Sequence, residues 1–77
     1  MKNYEFVTDF KKIGLKIAYY RKAAGYTQEQ LSELMGVATS YIGAIEAPNM
    51  RKTISLTTLF KIAKILDIPA WKLLYFD

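Results

Sequence analysis

Residues 27–46 read TQEQLSELMGVATSYIGAIE, a pattern typical of two short helices joined by a tight turn. Thr27 is a favoured N-cap residue, and Gln30 stands three residues later, where a capping-box partner is needed. Gly36 follows the apolar positions of this short helix and tolerates the positive φ with which a helix can end. Those apolar positions are Leu31, Leu34 and Met35. The pattern predicts a helix that begins just after Thr27 and stops at Gly36.

A second short helix is predicted directly after this turn. Its cap falls at Ala38 or Thr39, and Pro48 prevents its extension. Two helices that meet at a steep angle through a tight turn need a small side chain where they cross, and Ser32 is such a residue. Three apolar residues are expected to hold the second helix against the first: Val37, Ile42 and Ile45.

Three further helices are predicted around this pair. Thr8 and Asp9 are expected to cap a first helix that ends at Gly25. Its inward positions are Phe10, Ile13, Ile17, Tyr20 and Ala24. A fourth helix within residues 55–68 has one broad apolar stripe, formed by Leu56, Leu59, Phe60, Ile62, Ala63 and Leu66. Pro69 suits the first turn of a fifth helix. No stretch alternates as a half-buried strand does, so we expect an all-α fold with five helices.

The amino-acid composition excludes several classes of function. The 77 residues include no cysteine and no histidine, which excludes disulfides, thiolate zinc sites and imidazole catalysis. We therefore predict no catalytic residue, no metal, no cofactor and no small-molecule ligand, and not an enzyme. Charged residues interrupt the segment 1–12, so no secretory signal or membrane span is expected and we predict a cytoplasmic protein. Eleven Lys and Arg against seven Asp and Glu give a net charge of +4, which suits a polyanionic partner.

From Gly14 to Leu74 the chain resembles the Cro/repressor-type (XRE) helix-turn-helix family of DNA-binding proteins. The resemblance rests on the stretch quoted above, on Arg21, and on the segments GYTQEQL, YIGAIE and LTTLFKIAKILDI. It implies one repressor-like DNA-binding domain over residues 1–77, with the helix-turn-helix at helices two and three. The second helix would cross the backbone of double-stranded DNA, and the third would lie in the major groove. We expect residues 1–7 to be loose and residues 68–77 to form a dimerisation helix.

The resemblance also implies roles for individual residues. The base-reading positions are Thr39, Ser40, Gly43 and Ala44. These are small residues whose hydroxyls suit more than one base, so we expect modest or partly indirect specificity. The expected phosphate contacts are Thr27, Gln28, Tyr41, Asn49, Arg51 and Lys52, with Thr53 assisting. The alternatives are an exposed amide at Gln28, an ordinary surface tyrosine at Tyr41 and a solvated basic loop at Arg51 and Lys52. A partly buried ion pair between Arg21 and Glu46 would fix the angle of the reading helix.

The sequence AWKLLYF near the C-terminus is more apolar than one side of a small core requires. We expect a homodimer interface formed by Ile68, Trp71, Leu74, Tyr75 and Phe76. The alternative is that Trp71 and Leu74 complete the core of the monomer, and the two roles are compatible with each other. The predicted function is a transcriptional regulator, a repressor that binds a palindromic operator. The competing hypothesis is a protein-interaction module of the same fold, such as a toxin-binding antitoxin, that binds DNA weakly. Residues 28–50 contain three glutamates and no lysine or arginine, so spacing supports DNA binding more strongly than charge does.

Overall fold

The computed structural model describes residues 6–49 and 53–76. Those residues form five α-helices and no β-strand, which confirms the predicted all-α fold class. The helices are α1 (Val7–Ala23), α2 (Gln28–Met35), α3 (Thr39–Glu46), α4 (Leu56–Ile65) and α5 (Trp71–Leu74). Among the described residues, no helix has the length and apolar character needed to cross a membrane.

Helix α2 begins and ends as its sequence predicts. The Thr27 hydroxyl accepts a hydrogen bond from the Gln30 backbone N–H at 3.0 Å, and the Thr27 N–H donates to the Gln30 side-chain oxygen at 2.8 Å. This reciprocal pair completes the capping box. Gly36 ends the helix with φ 72°, in the left-handed region where a Cβ atom is disfavoured. Both ends of α2 are therefore fixed by local chemistry, and the turn sets the direction of α3.

Helix α1 starts earlier than predicted. Its N-cap is Phe6, and no side chain caps it, so the prediction of a cap at Thr8 is wrong. Asp9 instead lies inside the first turn, where a carboxylate interacts favourably with the N-terminal end of the helix dipole. The predicted stop is confirmed, since Gly25 follows the helix with φ 86°. Ala24, predicted to face inward, is exposed because it already lies at the end of the helix.

All five helices contribute to one apolar core. Its buried members are Ile13, Ile17, Leu31, Met35, Ile42, Ile45, Leu59, Ile62, Ala63, Leu66 and Leu73. Two leucines and one phenylalanine that were predicted to face inward are instead exposed: Leu34, Leu56 and Phe60. Val37 is also at the surface. Helix periodicity correctly marks the apolar side, but the neighbouring helices cover a narrower strip than the sequence pattern suggests.

A glycine allows α1 to approach α3 closely. A Cβ atom added to Gly14 would overlap the backbone carbonyl oxygen of Ile45, and it would lie 3.2 Å from the carbonyl carbon. Gly14 is buried in the middle of α1, so the two helix backbones meet there without a side chain between them. The position of α3 therefore depends on the absence of a side chain at Gly14.

The C-terminal helix is shorter than predicted. α5 has four residues, and Tyr75 is already extended, so residues 68–76 do not form one helix. Leu73 is the α5 residue that fills the core, with no exposed surface. Trp71 and Leu74 are exposed, so the alternative that they complete the core is wrong. A four-residue helix can direct one side chain inward, and that side chain is Leu73.

Candidate functional site

The outer side of α3 carries small residues at the surface. Thr39 and Ser40 are exposed at the start of the helix, while Gly43 and Ala44 are half-buried one turn later. Ala38 is the N-cap and contributes no side-chain hydrogen bond. The four residues predicted to read bases thus lie on one short helix with backbone close to the surface, so a partner could approach it closely.

A buried ion pair holds the end of α3. Arg21 on α1 donates from Nε to one Glu46 carboxylate oxygen at 2.8 Å and from Nη2 to the other at 2.9 Å. Its third nitrogen donates to the Tyr26 backbone carbonyl at 2.8 Å. The hydrogen bonds that Arg21 donates to Glu46 raise the pKa of Arg21 above its ordinary value, so the guanidinium is charged. A bidentate ion pair of this kind fixes the orientation of the two side chains as well as their distance, so α3 is held against α1 in one geometry.

Gln28 belongs to the same network. Its side-chain nitrogen donates to Glu46 Oε1 at 3.0 Å, which links the first residue of α2 to the last residue of α3. The side-chain oxygen of Gln28 lies near Gly43, 3.5 Å from where a Cβ atom would be. Gln28 is half-buried, so it is not a freely exposed amide. One hydrogen of its amide group is used inside the protein, and the second is left for a partner.

Two hydroxyl groups join α2 to the start of α3. The Ser32 hydroxyl donates to the Glu29 backbone carbonyl at 2.7 Å, and its oxygen lies 3.0 Å from the Thr39 hydroxyl oxygen. Ser32 is buried, whereas Thr39 is exposed. The small residue predicted at the helix crossing therefore also positions a predicted base-reading side chain.

The remaining predicted phosphate contacts are spread around α3. Thr27 is exposed at the start of α2, but its hydroxyl oxygen is used in the capping box. Tyr41 is half-buried and its ring packs against the core, while Asn49 is exposed after α3. Arg51 and Lys52 lie outside the described residues.

The charge beside the start of α3 is negative. Glu29 and Glu33 are exposed and line an open cleft together with Ser32 and Thr39. Among residues 6–49 and 53–76, no three acidic side chains lie close enough to hold a metal ion. A partner that meets this cleft would have to present hydrogen-bond donors or positive charge there.

The predicted C-terminal interface separates into two parts. Trp71, Leu74 and Tyr75 are exposed, and the Trp71 and Tyr75 rings pack edge to face at 6.2 Å. Ile68 and Phe76 are half-buried against the core. We refer to Trp71, Leu74 and Tyr75 as the C-terminal apolar patch.

A family model described as Helix-turn-helix matches residues 17–70. The chain belongs to the XRE-type helix-turn-helix family. The HTH-type transcriptional regulator SinR of Bacillus subtilis is 40% identical over 62 residues, which cover 80% of this chain and 55% of SinR. Control protein C.SmaI of Serratia marcescens is 36% identical over 67 residues, which cover 86% of this chain and 77% of C.SmaI. The chain thus spans about half the length of SinR.

Solved structures of helix-turn-helix proteins have the same fold. The restriction-modification controller protein C.AhdI from Aeromonas hydrophila aligns with a TM-score of 0.77 at 35% identity, over 86% of this chain and 97% of that chain. SinR in complex with DNA aligns with a TM-score of 0.74 at 40% identity, over 82% of this chain and 98% of that chain. These relatives confirm the resemblance found in the sequence.

Several contacts of this helix-turn-helix were not predicted from its sequence. Gly14 could have been noticed as an isolated glycine inside an amphipathic helix, a position that often has a packing reason. The bond from Gln28 to Glu46 and the hydroxyl pair of Ser32 and Thr39 join residues 18 and 7 positions apart. No pattern in a single sequence indicates side-chain hydrogen bonds across such separations.

Proposed function

We propose that this chain binds double-stranded DNA in a sequence-specific manner and regulates transcription as a repressor. One observation carries the proposal: α3 presents the exposed Thr39 and Ser40 at its start, while Glu46 at its end is fixed to α1 by Arg21. A helix held from behind, with small residues in front, suits insertion into the major groove. The relative SinR, with 40% sequence identity, has been solved in complex with DNA.

The proposed phosphate contacts centre on the start of α2. The N–H groups of Thr27 and Gln30 are taken by the capping box. The backbone N–H groups of Gln28 and Glu29 lie in the first turn, where a helix offers no internal acceptor, so they are suited to a phosphate oxygen. Flanking contacts are proposed from Tyr41, Asn49, Arg51 and Lys52.

Base reading is proposed for the outward residues of α3. Thr39 and Ser40 carry hydroxyls, Ala44 offers a methyl group, and Gly43 lets the helix approach closely. None of these residues has two donors in the rigid arrangement that reads guanine strongly. The operator should therefore be recognised with modest specificity per base pair, supplemented by the shape of the DNA.

The C-terminal apolar patch is the proposed homodimer interface. One small module makes few phosphate contacts and binds weakly at physiological salt, whereas two modules on a palindrome double them. Large exposed apolar side chains at one end of the chain fit self-association, with Ile68 and Phe76 at the edge of the patch.

Size-exclusion chromatography with light scattering tests the dimer. We expect a dimer for the wild type and a monomer for Leu74→Asp, with a weakened dimer for Trp71→Ala. Leu34→Asp is the matched control, because Leu34 is another exposed leucine and lies on α2, and it should elute as the wild type does. A wild type that is monomeric at every concentration would show that the patch has another role.

A mobility-shift experiment with random-sequence duplex at low and moderate salt tests DNA binding. We expect binding at low salt that weakens steeply as salt rises, since each phosphate contact releases counterions. No binding at low salt would favour the competing function, a protein-interaction module of the same fold.

A further inference from the structure

The hydroxyl pair between α2 and α3 determines what Thr39 can read. We propose that Ser32 fixes Thr39 as a hydrogen-bond acceptor, so that Thr39 selects adenine or cytosine over guanine or thymine at the base it faces. This inference rests on the proposed function, in which α3 lies in the major groove.

The hydroxyl hydrogen of Ser32 points to the backbone of Glu29. The Ser32 hydroxyl oxygen lies 2.7 Å from the backbone carbonyl oxygen of Glu29. A carbonyl oxygen has no hydrogen, so the hydrogen between these two atoms belongs to Ser32. Serine has a single hydroxyl hydrogen, and this bond uses it. A serine inside a helix commonly bonds to the preceding turn in this way.

Thr39 is the donor in the bond between the two hydroxyls. The Ser32 and Thr39 oxygens are 3.0 Å apart, a hydrogen-bond distance that requires a hydrogen between them. The Ser32 hydrogen is already used on Glu29, so the hydrogen in this bond comes from Thr39. The Thr39 hydroxyl therefore faces any external partner with lone pairs alone.

The surroundings keep this direction fixed. Ser32 is 3% exposed, and Glu29 contributes a carbonyl of the α2 backbone, which does not turn. Reversing the hydrogens would leave two acceptor oxygens 2.7 Å apart with no hydrogen between them. Thr39 itself is exposed, so its lone pairs remain accessible from outside.

An acceptor at this position distinguishes bases. In the major groove adenine presents the N6 amino group beside its N7 acceptor, and cytosine presents the N4 amino group; both amino groups donate. Guanine presents O6 and N7, and thymine presents O4, all of which accept. Glu29 and Glu33 line the same cleft as Thr39. Their negative charges attract the partially positive hydrogens of an amino group, so they also favour adenine or cytosine there.

The experiment is selection of bound duplexes from a random pool, followed by sequencing, for the wild type, Ser32→Ala and Thr39→Val. At one position in each half-site the wild type should favour adenine or cytosine on one strand by about 3- to 10-fold, the range for one hydrogen bond. Ser32→Ala frees the Thr39 hydrogen to donate, so this preference should fall below about twofold while the other positions keep theirs. Thr39→Val keeps the branched shape, removes the hydroxyl and should lose the same preference.

Ser55→Ala is the matched control. It removes a serine hydroxyl that caps α4 and bonds to Thr58, away from the α2–α3 turn. It should lower stability and leave every base preference unchanged. In the Thr39→Val background, Ser32→Ala should have no further effect on base preference, because Ser32 acts through Thr39.

The possible outcomes separate this inference from the proposed function. If the wild type enriches no sequence from the pool, the proposed function fails, and this inference fails with it. If the wild type enriches a half-site but Ser32→Ala retains every preference, DNA recognition stands and the role of Ser32 is wrong. The inference would also be overturned if the wild type enriched a half-site in which no adenine or cytosine preference is lost in Thr39→Val.

Discussion

Two glycines inside helices should respond in opposite ways to the same substitution. Alanine is favoured over glycine in a helix interior by about 1 kcal/mol, and this gain applies to both Gly14→Ala and Gly43→Ala. At Gly43 the added methyl group meets Gln28 Oε1 at 3.5 Å, which is an ordinary contact. Gly43→Ala should therefore be more stable than the wild type by about 1 kcal/mol and melt about 4–8 °C higher.

At Gly14 the added methyl group would overlap the Ile45 carbonyl group, which is backbone and cannot rotate away. Overpacking of a core costs about 1–3 kcal/mol and sometimes more, and the upper part of this range applies when a helix must move. After the gain in helix propensity, Gly14→Ala should lose about 1–2 kcal/mol.

Urea denaturation followed by circular dichroism at the helix band measures both changes. The two variants should differ from each other by about 2–3 kcal/mol in free energy of unfolding. Gly43→Ala should also bind DNA more weakly despite its higher stability, because the added methyl group would keep α3 farther from the bases in the major groove. A Gly14→Ala variant as stable as the wild type would refute the close approach of α1 and α3.

Further predictions concern the ion pair and the helix ends. Arg21→Met leaves the Glu46 carboxylate buried without its partner, which should cost about 3–5 kcal/mol and lower the melting temperature by more than 10 °C, about 4 °C or more for each kcal/mol; an unchanged melting temperature would contradict a stabilising pair. Asp67, at φ 57° after α4, is strained for a residue with a side chain, so Asp67→Gly should raise stability in thermal unfolding by about 0.5–1 kcal/mol, with Asp67→Asn between the two. Thr27→Ala removes the α2 cap and should cost about 1 kcal/mol in the same assay, and a neutral result would show that the capping box contributes nothing.

The sequence predicts features that depend on neighbouring residues. The cap of α2 at Thr27 and the turn at Gly36 could be predicted because three or four adjacent residues determine them. The start of α1 could not, because Phe6 caps it without a side-chain bond and Thr8 looked the better candidate. Ends of helices without a capping side chain leave no local signal.

Features that depend on contacts between helices were harder to predict. Leu34, Leu56 and Phe60 have the spacing of core residues, yet no neighbouring helix covers them among the described residues. In the candidate site, the identity of the α3 surface residues followed from the sequence and the family resemblance. The direction of the Thr39 hydrogen bond could not be predicted from the sequence. It depends on the 2.7 Å distance between the Ser32 hydroxyl oxygen and the backbone carbonyl oxygen of Glu29.

The surface proposed to meet DNA consists of α3 and the start of α2. An NMR titration of the ¹⁵N-labelled chain with a short duplex at low salt tests it residue by residue. We predict that the largest amide shifts occur at Gln28, Thr39, Ser40 and Gly43, with little change in the exposed half of α1 around Leu15 and Tyr19. Shifts confined to α1 or to the C-terminal apolar patch, or no shifts with any duplex, would show that α3 and the start of α2 are not the DNA-binding surface.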